Sequence, residues 1–117
     1  MAQMVLFNGR IFDGLSETMR DGGFVVIDDG RITEVGQGNA PAGGTVIDLA
    51  GRVLMPGLID AHVHLIATTA DLGSIGEDPA SLTTMRASKI AEGMLMRGFT
   101  TVRDAGGADW GLALEIE

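Results

Sequence analysis

Cysteine is absent from this sequence of 117 residues, and histidine occurs only twice. Without cysteine the chain has no disulfide framework and no thiolate metal site, so a bound metal must use imidazole, carboxylate or water. The chain has 8 lysine and arginine residues against 16 aspartate and glutamate residues, a net charge of −8. This balance disfavours nucleic acid and anionic membrane as partners, because both require a basic surface.

Secretory and membrane-spanning patterns are also absent. The opening residues, MAQMVLFNG, have no basic region before their short apolar run, so they do not have the pattern of a secretory signal. No apolar run approaches the length that crosses a bilayer, and we therefore expect a cytoplasmic location. Hydrophobic residues still make up 45% of the chain, which is enough for the core of one modest domain.

Glycine is abundant, with 18 residues, and this predicts many tight turns between short elements. Residues 1–56 have the pattern of short strands in a small antiparallel β unit. Asn8-Gly9 is a turn signal between two such runs. Asp29-Gly30 is a stronger hairpin signal, because both turn positions favour a positive φ, and imperfect alternation after it predicts a bulge near the turn. Pro56-Gly57 ends the pattern.

From residue 58 onward, strands alternate with helical patterns. A strand over 58–65 is followed by a long loop, a helix that begins at Asp78-Pro79 and ends at Gly98, a strand over 99–104, and the start of a second helix. This alternation predicts βαβ units with a parallel sheet, and so an α/β fold. Two parallel strands cannot close a barrel, and we therefore expect the chain to be the front end of a longer protein.

Both histidines lie in the segment PGLIDAHVHL, residues 56–65. A strand alternates faces with a period of two, so Asp60, His62 and His64 point to one side. The opposite side is wholly apolar and is expected to be buried against helices; it comprises Ile59, Ala61, Val63 and Leu65. Two neutral imidazoles on one face, about 7 Å apart at their Cα atoms, can converge on one metal ion.

The His-x-His spacing alone is weak evidence, because paired histidines in a strand are more often surface or core residues. The expected burial, the C-terminal end of a parallel strand and the long loop that follows all favour a metal site. Asp60 is predicted to have a structural or ligand-orienting role. For Asp104, at the end of the next strand, the pattern leaves three roles open. Its side chain lines the same site as the histidines, caps the following loop or pairs with Arg103.

The segment GRVLMPGLIDAHVHL, residues 51–65, resembles the metal-binding start of the amidohydrolase superfamily. Residues 26–36 resemble the N-terminal hairpin of that superfamily, and residues 98–107 resemble its second barrel strand. The resemblance implies a truncated α/β architecture, with a small β-sandwich segment over 1–56 and the first two βα units of a (β/α)₈ TIM-like barrel over 57–117. The sequence looks most like the branch of Xaa-Pro dipeptidase and arginine-carboxypeptidase-like enzymes.

The resemblance also implies a chemistry. His62 and His64 would bind the more buried of one or two divalent ions, expected to be Zn²⁺, in a hydrolase that cleaves carbon–nitrogen bonds of small amides or dipeptides with metal-activated water. The bridging lysine, two further histidines and the catalytic aspartate of such enzymes come from later strands. Lys89, the only lysine, lies in the first predicted helix and is not a candidate for the bridge. The segment is therefore expected to contain no catalytic residue and to be inactive alone, and a homo-oligomer is among the states considered for the whole enzyme.

Two alternatives stay open at this point. One is a non-catalytic, amidohydrolase-like protein with a binding or structural role. The other is a deaminase with a single metal ion, which would lack the bridging lysine. Lysine, two histidines and aspartate at the ends of later strands would favour the enzyme, and their absence would favour the binding protein.

Overall fold

The computed structural model describes residues 3–116, except for the side chain of Glu115. These residues belong to two compact units, and the division falls between Pro56 and Gly57. The sequence pattern changes at the same point, from short strands and turns to alternating strands and helices.

The first unit is a five-stranded mixed sheet. Its strands are β1 (Met4–Ile11), β2 (Arg20–Asp28), β3 (Arg31–Gln37), β4 (Thr45–Asp48) and β5 (Val53–Leu54). The order is β3-β2-β1-β4, and β5 pairs with β1 further along the same strand. The contacts β1–β2 and β2–β3 are antiparallel, whereas β4 and β5 run parallel to β1. The expectation of an antiparallel unit was therefore wrong for its last two strands.

The hairpin between β2 and β3 confirms the prediction made from Asp29-Gly30. Both turn residues have a positive φ, 49° at Asp29 and 74° at Gly30, as the tight hairpin turn requires. The strand register shifts between Val26 and Ile27, close to the turn. This is the predicted bulge, and it accounts for the broken alternation in β3.

The turn predicted at Asn8-Gly9 does not form, and β1 continues through it. Asn8 takes a positive φ of 55°, which asparagine tolerates better than most residues. Its side-chain amide donates to Asp48 Oδ1 at 2.8 Å. Gly9 is buried, and a Cβ there would meet the side chain of Leu49 and the carbonyl oxygen of Arg52. The two residues thus form an irregularity inside a strand that lets β4 and β5 pack closely beside it.

The core of this unit follows from strand alternation and register. Val5 pairs with Val26 across β1 and β2, and both are buried together with Phe24; Phe7 and Ala40 pack against this cluster. Val5 has no exposed surface. Phe24 lies opposite Gly36 on β3, and its ring occupies the space that a Cβ at Gly36 would need.

The second unit is a parallel strand pair with helices, which confirms the predicted α/β pattern. It contains β6 (Leu58–Val63), a short 3-10 turn (Ser74–Gly76), α1 (Ala80–Met96), β7 (Phe99–Asp104) and α2 (Trp110–Ile116). The strands β6 and β7 pair in parallel, and α1 packs against β7. Trp110, the first residue of α2, is 78% exposed. Neither helix of the described residues has the length and apolar character needed to cross a membrane.

The start of α1 differs from the prediction, whereas its end agrees with it. Asp78 does not cap the helix; Pro79 takes the N-cap position with an extended ψ of 135°. The carboxylate of Asp78 instead accepts from Arg86 Nη1 at 2.7 Å, one to two turns into the helix. At the other end Gly98 has a φ of 94°, the left-handed conformation expected of a glycine that ends a helix.

The apolar side of β6 is not buried as expected. Ile59 is 71% exposed, and only Leu65, beyond the end of the strand, is well buried at 4% exposure. Both histidines are exposed as well. Burial of β6 was inferred from its apolar alternation, but alternation gives only the direction of each side chain. The helix α1 packs against β7, so the outer side of β6 remains largely uncovered.

Gly57 fixes the entry into β6, and its replacement by alanine is expected to destabilise the second unit. A Cβ at this position would collide with the side chain of Thr100, including its Cβ, which rotation of the side chain cannot move. We expect Gly57→Ala to cost about 1–3 kcal/mol of unfolding free energy, the usual range for overpacking.

Urea denaturation followed by circular dichroism measures this cost. Gly76→Ala is the matched control, because Gly76 lies in the same unit and a Cβ there would meet nothing within 4 Å. Equal stability of the two variants would show that the contact with Thr100 relaxes without cost.

Candidate metal centre

The C-terminal ends of β6 and β7 bring the candidate residues together. In the strand register Val63 pairs with Asp104, and the Ala105 N–H donates to the Val63 carbonyl at 2.8 Å. The residues that follow the two strands, 64–65 and 105–107, therefore lie side by side. This edge is where parallel α/β folds place their active sites.

His62 and His64 lie next to each other at this edge. Their ring centroids are 5.2 Å apart, and the ring planes meet at 77° in an edge-to-face arrangement. His62 is within β6, and His64 is the first residue after it. The period-two alternation used to predict their shared face thus agrees with where the two rings lie.

The ring of His64 is held by a backbone carbonyl. Its Nδ1 lies 2.8 Å from the carbonyl oxygen of Gly106, across the two strand ends. A carbonyl can only accept, so Nδ1 carries the hydrogen, and Nε2 of the neutral ring keeps its lone pair. Sequence reasoning missed Gly106, because every residue has a carbonyl and residue type gives no signal for this role.

Asp104 ties the two strand ends together. Its Oδ2 accepts from the Leu65 N–H at 2.8 Å, and its Oδ1 accepts from the Gly106 N–H at 2.9 Å. Partial burial works against ionisation of the carboxyl, but these two N–H donors, with that of Ala108 and a smaller contribution from His64, hold its pKa below the usual value. The bond from the Gly106 N–H is the loop cap that the sequence left open as one alternative, and a part of Asp104 in lining the site stays a prediction.

Asp60 makes a local contact on its own strand. Its Oδ1 accepts from the backbone N–H of His62 at 3.1 Å. The side chain is half-buried, and it acts on the main chain that carries the imidazole of His62. The expected structural or ligand-orienting role of Asp60 stays a prediction.

A recess of about 300 Å³ opens beside His64. Apart from the imidazole it is formed by apolar side chains and glycines of the long loop and of the turn after β7; these are Ile66, Ala67, Leu72, Ile75, Gly76, Gly106 and Gly107. The loop therefore places an apolar surface next to the imidazole pair. The loop was singled out in the sequence by its length and position, but its apolar lining was not predicted.

A third ligand does not join the pair within the described part of the chain. In residues 3–116 no three histidine, aspartate or glutamate side chains cluster in a way that could hold a metal ion. Lys89 is exposed on α1. The imidazole donors are present, but the described residues do not complete a coordination shell.

The family follows from comparison with known proteins. The model of the amidohydrolase family matches residues 45–109, more than half of the chain. The chain belongs to the amidohydrolase family. The matched segment contains β6, both histidines, α1 and β7, which are the elements that form the candidate metal centre.

Individual relatives of this amidohydrolase chain have different activities. A dihydroorotase of Geobacter sulfurreducens is 41% identical over 66 residues, covering 53% of this chain and 15% of that protein. A 5'-deoxyadenosine deaminase of Methanosarcina mazei is 50% identical over 46 residues, covering 39% of this chain and 11% of that protein. A solved structure of a prolidase complexed with N-methylphosphonate-L-proline has a TM-score of 0.90 at 42% identity, covering 97% of this chain and 28% of that one.

Proposed function

We propose that His62 and His64 are two ligands of a divalent metal ion, expected to be Zn²⁺, in an enzyme that hydrolyses carbon–nitrogen bonds. The observation that carries the proposal is the imidazole pair itself, with Nδ1 of His64 engaged at 2.8 Å by the Gly106 carbonyl. The free Nε2 of His64 then projects a lone pair from the ring. Metal-bound histidines typically use their second ring nitrogen in this way.

The spacing of the two rings supports a shared ion. Two imidazoles on one tetrahedral zinc ion, with Zn–N distances of about 2.0–2.1 Å, have ring centres roughly 5 Å apart. The separation of the His62 and His64 centroids is 5.2 Å. Absence of cysteine leaves imidazole and carboxylate as the protein donors, which suits zinc and similar divalent ions.

The residues of the chain have distinct parts in this proposal. When bound, the metal ion supplies Lewis acidity, which lowers the pKa of water and polarises a carbonyl. His62 and His64 hold the ion, and Gly106 orients His64. The apolar recess beside His64 accommodates an apolar group of the substrate.

In the proposed architecture, each of the two units is part of a larger domain. We place residues 57–117 as the first two βα units of a (β/α)₈ barrel and residues 1–56 as part of a small β-sandwich. The chain spans 28% of the length of the prolidase whose structure it matches. We propose that the further metal ligands and the catalytic carboxylate come from a segment that these 117 residues do not contain.

A dipeptide or N-acyl amino acid is the proposed substrate class. Support comes from the prolidase complex with N-methylphosphonate-L-proline, which is 42% identical over 97% of this chain. The apolar lining of the recess is also consistent with an apolar amino-acid side chain. A homo-oligomeric state of the whole enzyme stays part of the proposal.

Titration with Zn²⁺ tests the metal site. A catalytic zinc site usually has three protein ligands and water, and the chain offers two imidazoles. We expect binding weaker than about 1 µM, which corresponds to roughly 8 kcal/mol, and no hydrolysis of dipeptides by the chain alone. Isothermal titration calorimetry gives the affinity, and stoichiometric sub-micromolar binding with turnover would contradict the proposal that further ligands are required.

A mononuclear deaminase is the second candidate function. The observation that favours it is the 50% identity over 46 residues to a 5'-deoxyadenosine deaminase. Both candidates use the same imidazole pair, so substitution of either histidine does not separate them. Assay of the longer protein with a dipeptide and with an aminopurine nucleoside does: release of amino acids supports the dipeptidase, and release of ammonia supports the deaminase.

A further inference from the structure

The turn that holds His64 is itself held by one carboxylate. We infer that Asp104 is a positioning residue for His64: through the 105–107 turn it keeps the Gly106 carbonyl on Nδ1, and so keeps Nε2 free. The inference rests on the proposed function, because it assigns a purpose to the orientation of a proposed ligand. Asp104 itself is not proposed as a metal ligand.

Three hydrogen bonds form a continuous connection from Asp104 to the imidazole. The carboxylate accepts from the Leu65 N–H at 2.8 Å on one strand end and from the Gly106 N–H at 2.9 Å on the other. Gly106 then accepts from Nδ1 of His64 at 2.8 Å. Since one carboxylate binds the residue after His64 and the residue that faces its ring, it fixes both partners of the third bond.

The backbone of the turn needs this support. Gly106 has a φ of 149° and Gly107 a φ of 104°, a region that residues other than glycine rarely adopt. Glycine is also the residue that loses most conformational freedom on ordering, so two in succession do not hold the carbonyl in one direction by themselves. The N–H bond from Gly106 to Asp104 Oδ1 supplies the restraint.

The tautomer of His64 is the direct readout, and the unmodified chain tests it first. Long-range ¹H–¹⁵N correlation spectra distinguish Nδ1–H from Nε2–H imidazoles. At about pH 8 an ordinary histidine is neutral, because its pKa is ~6.5. The chain has two histidines, so a His62→Asn variant assigns both. We expect His64 in the Nδ1–H form; an Nε2–H tautomer would overturn the inference.

Variants of Asp104 provide the second test. In Asp104→Ala we expect His64 to lose its single tautomer while His62 is unchanged, and the Zn²⁺ affinity to fall by about 10–100-fold, the usual cost of losing an outer-shell partner. Asp104→Asn keeps one side-chain acceptor in place of two and should give an intermediate result. It also serves as the test if the alanine variant does not fold.

Asp78→Ala is the matched control, since it removes another carboxylate of the same unit whose partner is Arg86 at 2.7 Å. An unchanged His64 tautomer in Asp104→Ala or Asp104→Asn, or an equal change in Asp78→Ala, would overturn the inference. Failure of the proposed function has a different signature. If the tautomer depends on Asp104 but Zn²⁺ binding does not depend on either histidine, the positioning holds and the metal assignment is wrong.

Discussion

Replacement of either His62 or His64 by alanine is expected to remove most of the Zn²⁺ binding of this chain. The two rings lie 5.2 Å apart, close enough to share one ion, so loss of one leaves a single imidazole. The chain has no other histidine and no cysteine, and a replacement donor of equal strength is therefore absent. The loss should exceed the roughly 10–100-fold effect of an outer-shell change.

A double-substitution cycle tells a shared ion from two separate sites. If both imidazoles bind one ion, each single variant loses most of the affinity, and the double variant loses little more. If they act separately, the losses in binding free energy add. Glu92→Gln on the exposed side of α1 is the control for loss of a charge. Retention of full Zn²⁺ affinity in His62→Ala or His64→Ala would contradict the proposed metal centre.

Phe24→Ala is expected to cause the largest loss of stability in the five-stranded sheet. Phe24 is 5% exposed and forms the core cluster with Val5 and Val26. Removing a buried aromatic ring typically costs about 3–5 kcal/mol, since the cavity fills only in part. The opposite residue, Gly36, has no side chain to move into the space, and its backbone would be exposed to water where the ring now covers it.

Urea denaturation followed by far-ultraviolet circular dichroism measures this effect. Leu15→Ala is the control for removal of an apolar side chain, because Leu15 is 93% exposed and such surface changes stay within about 0.5 kcal/mol. A loss below about 1 kcal/mol in Phe24→Ala would mean that the ring does not contribute a packed core.

The parts of the fold that the sequence predicted are those determined by local geometry. Asp29-Gly30 and Gly98 required positive φ values, and that requirement is visible in the residue type alone. Asn8-Gly9 has the same type of signal, but long-range pairing with β4 and β5 uses it inside a strand. Asp78 likewise has the chemistry of a helix cap, and its carboxylate pairs with Arg86 instead. A local sequence signal identifies the backbone conformations and hydrogen bonds that a residue can adopt. Tertiary contacts decide which of these forms in the fold.

The candidate site likewise has features that the sequence predicted and features that it did not. Strand alternation predicted that His62 and His64 share a face, since a period of two follows from backbone geometry. It could not predict the Gly106 carbonyl, which is common to all residue types, nor which of its alternatives Asp104 would adopt. Burial of β6 was overestimated because alternation says nothing about which element covers a strand. The sandwich and barrel architecture and the cytoplasmic location stay predictions.

The exposed indole of Trp110 allows the second unit to be observed separately from the first. The chain contains one tryptophan and no tyrosine, so fluorescence excited at wavelengths too long for phenylalanine to absorb comes from Trp110 in α2. Trp110 is 78% exposed, and its emission should have the long wavelength of an indole in water. Any molecule or segment that covers α2 would then shift the emission to shorter wavelength, while binding to the first unit alone would leave the spectrum unchanged.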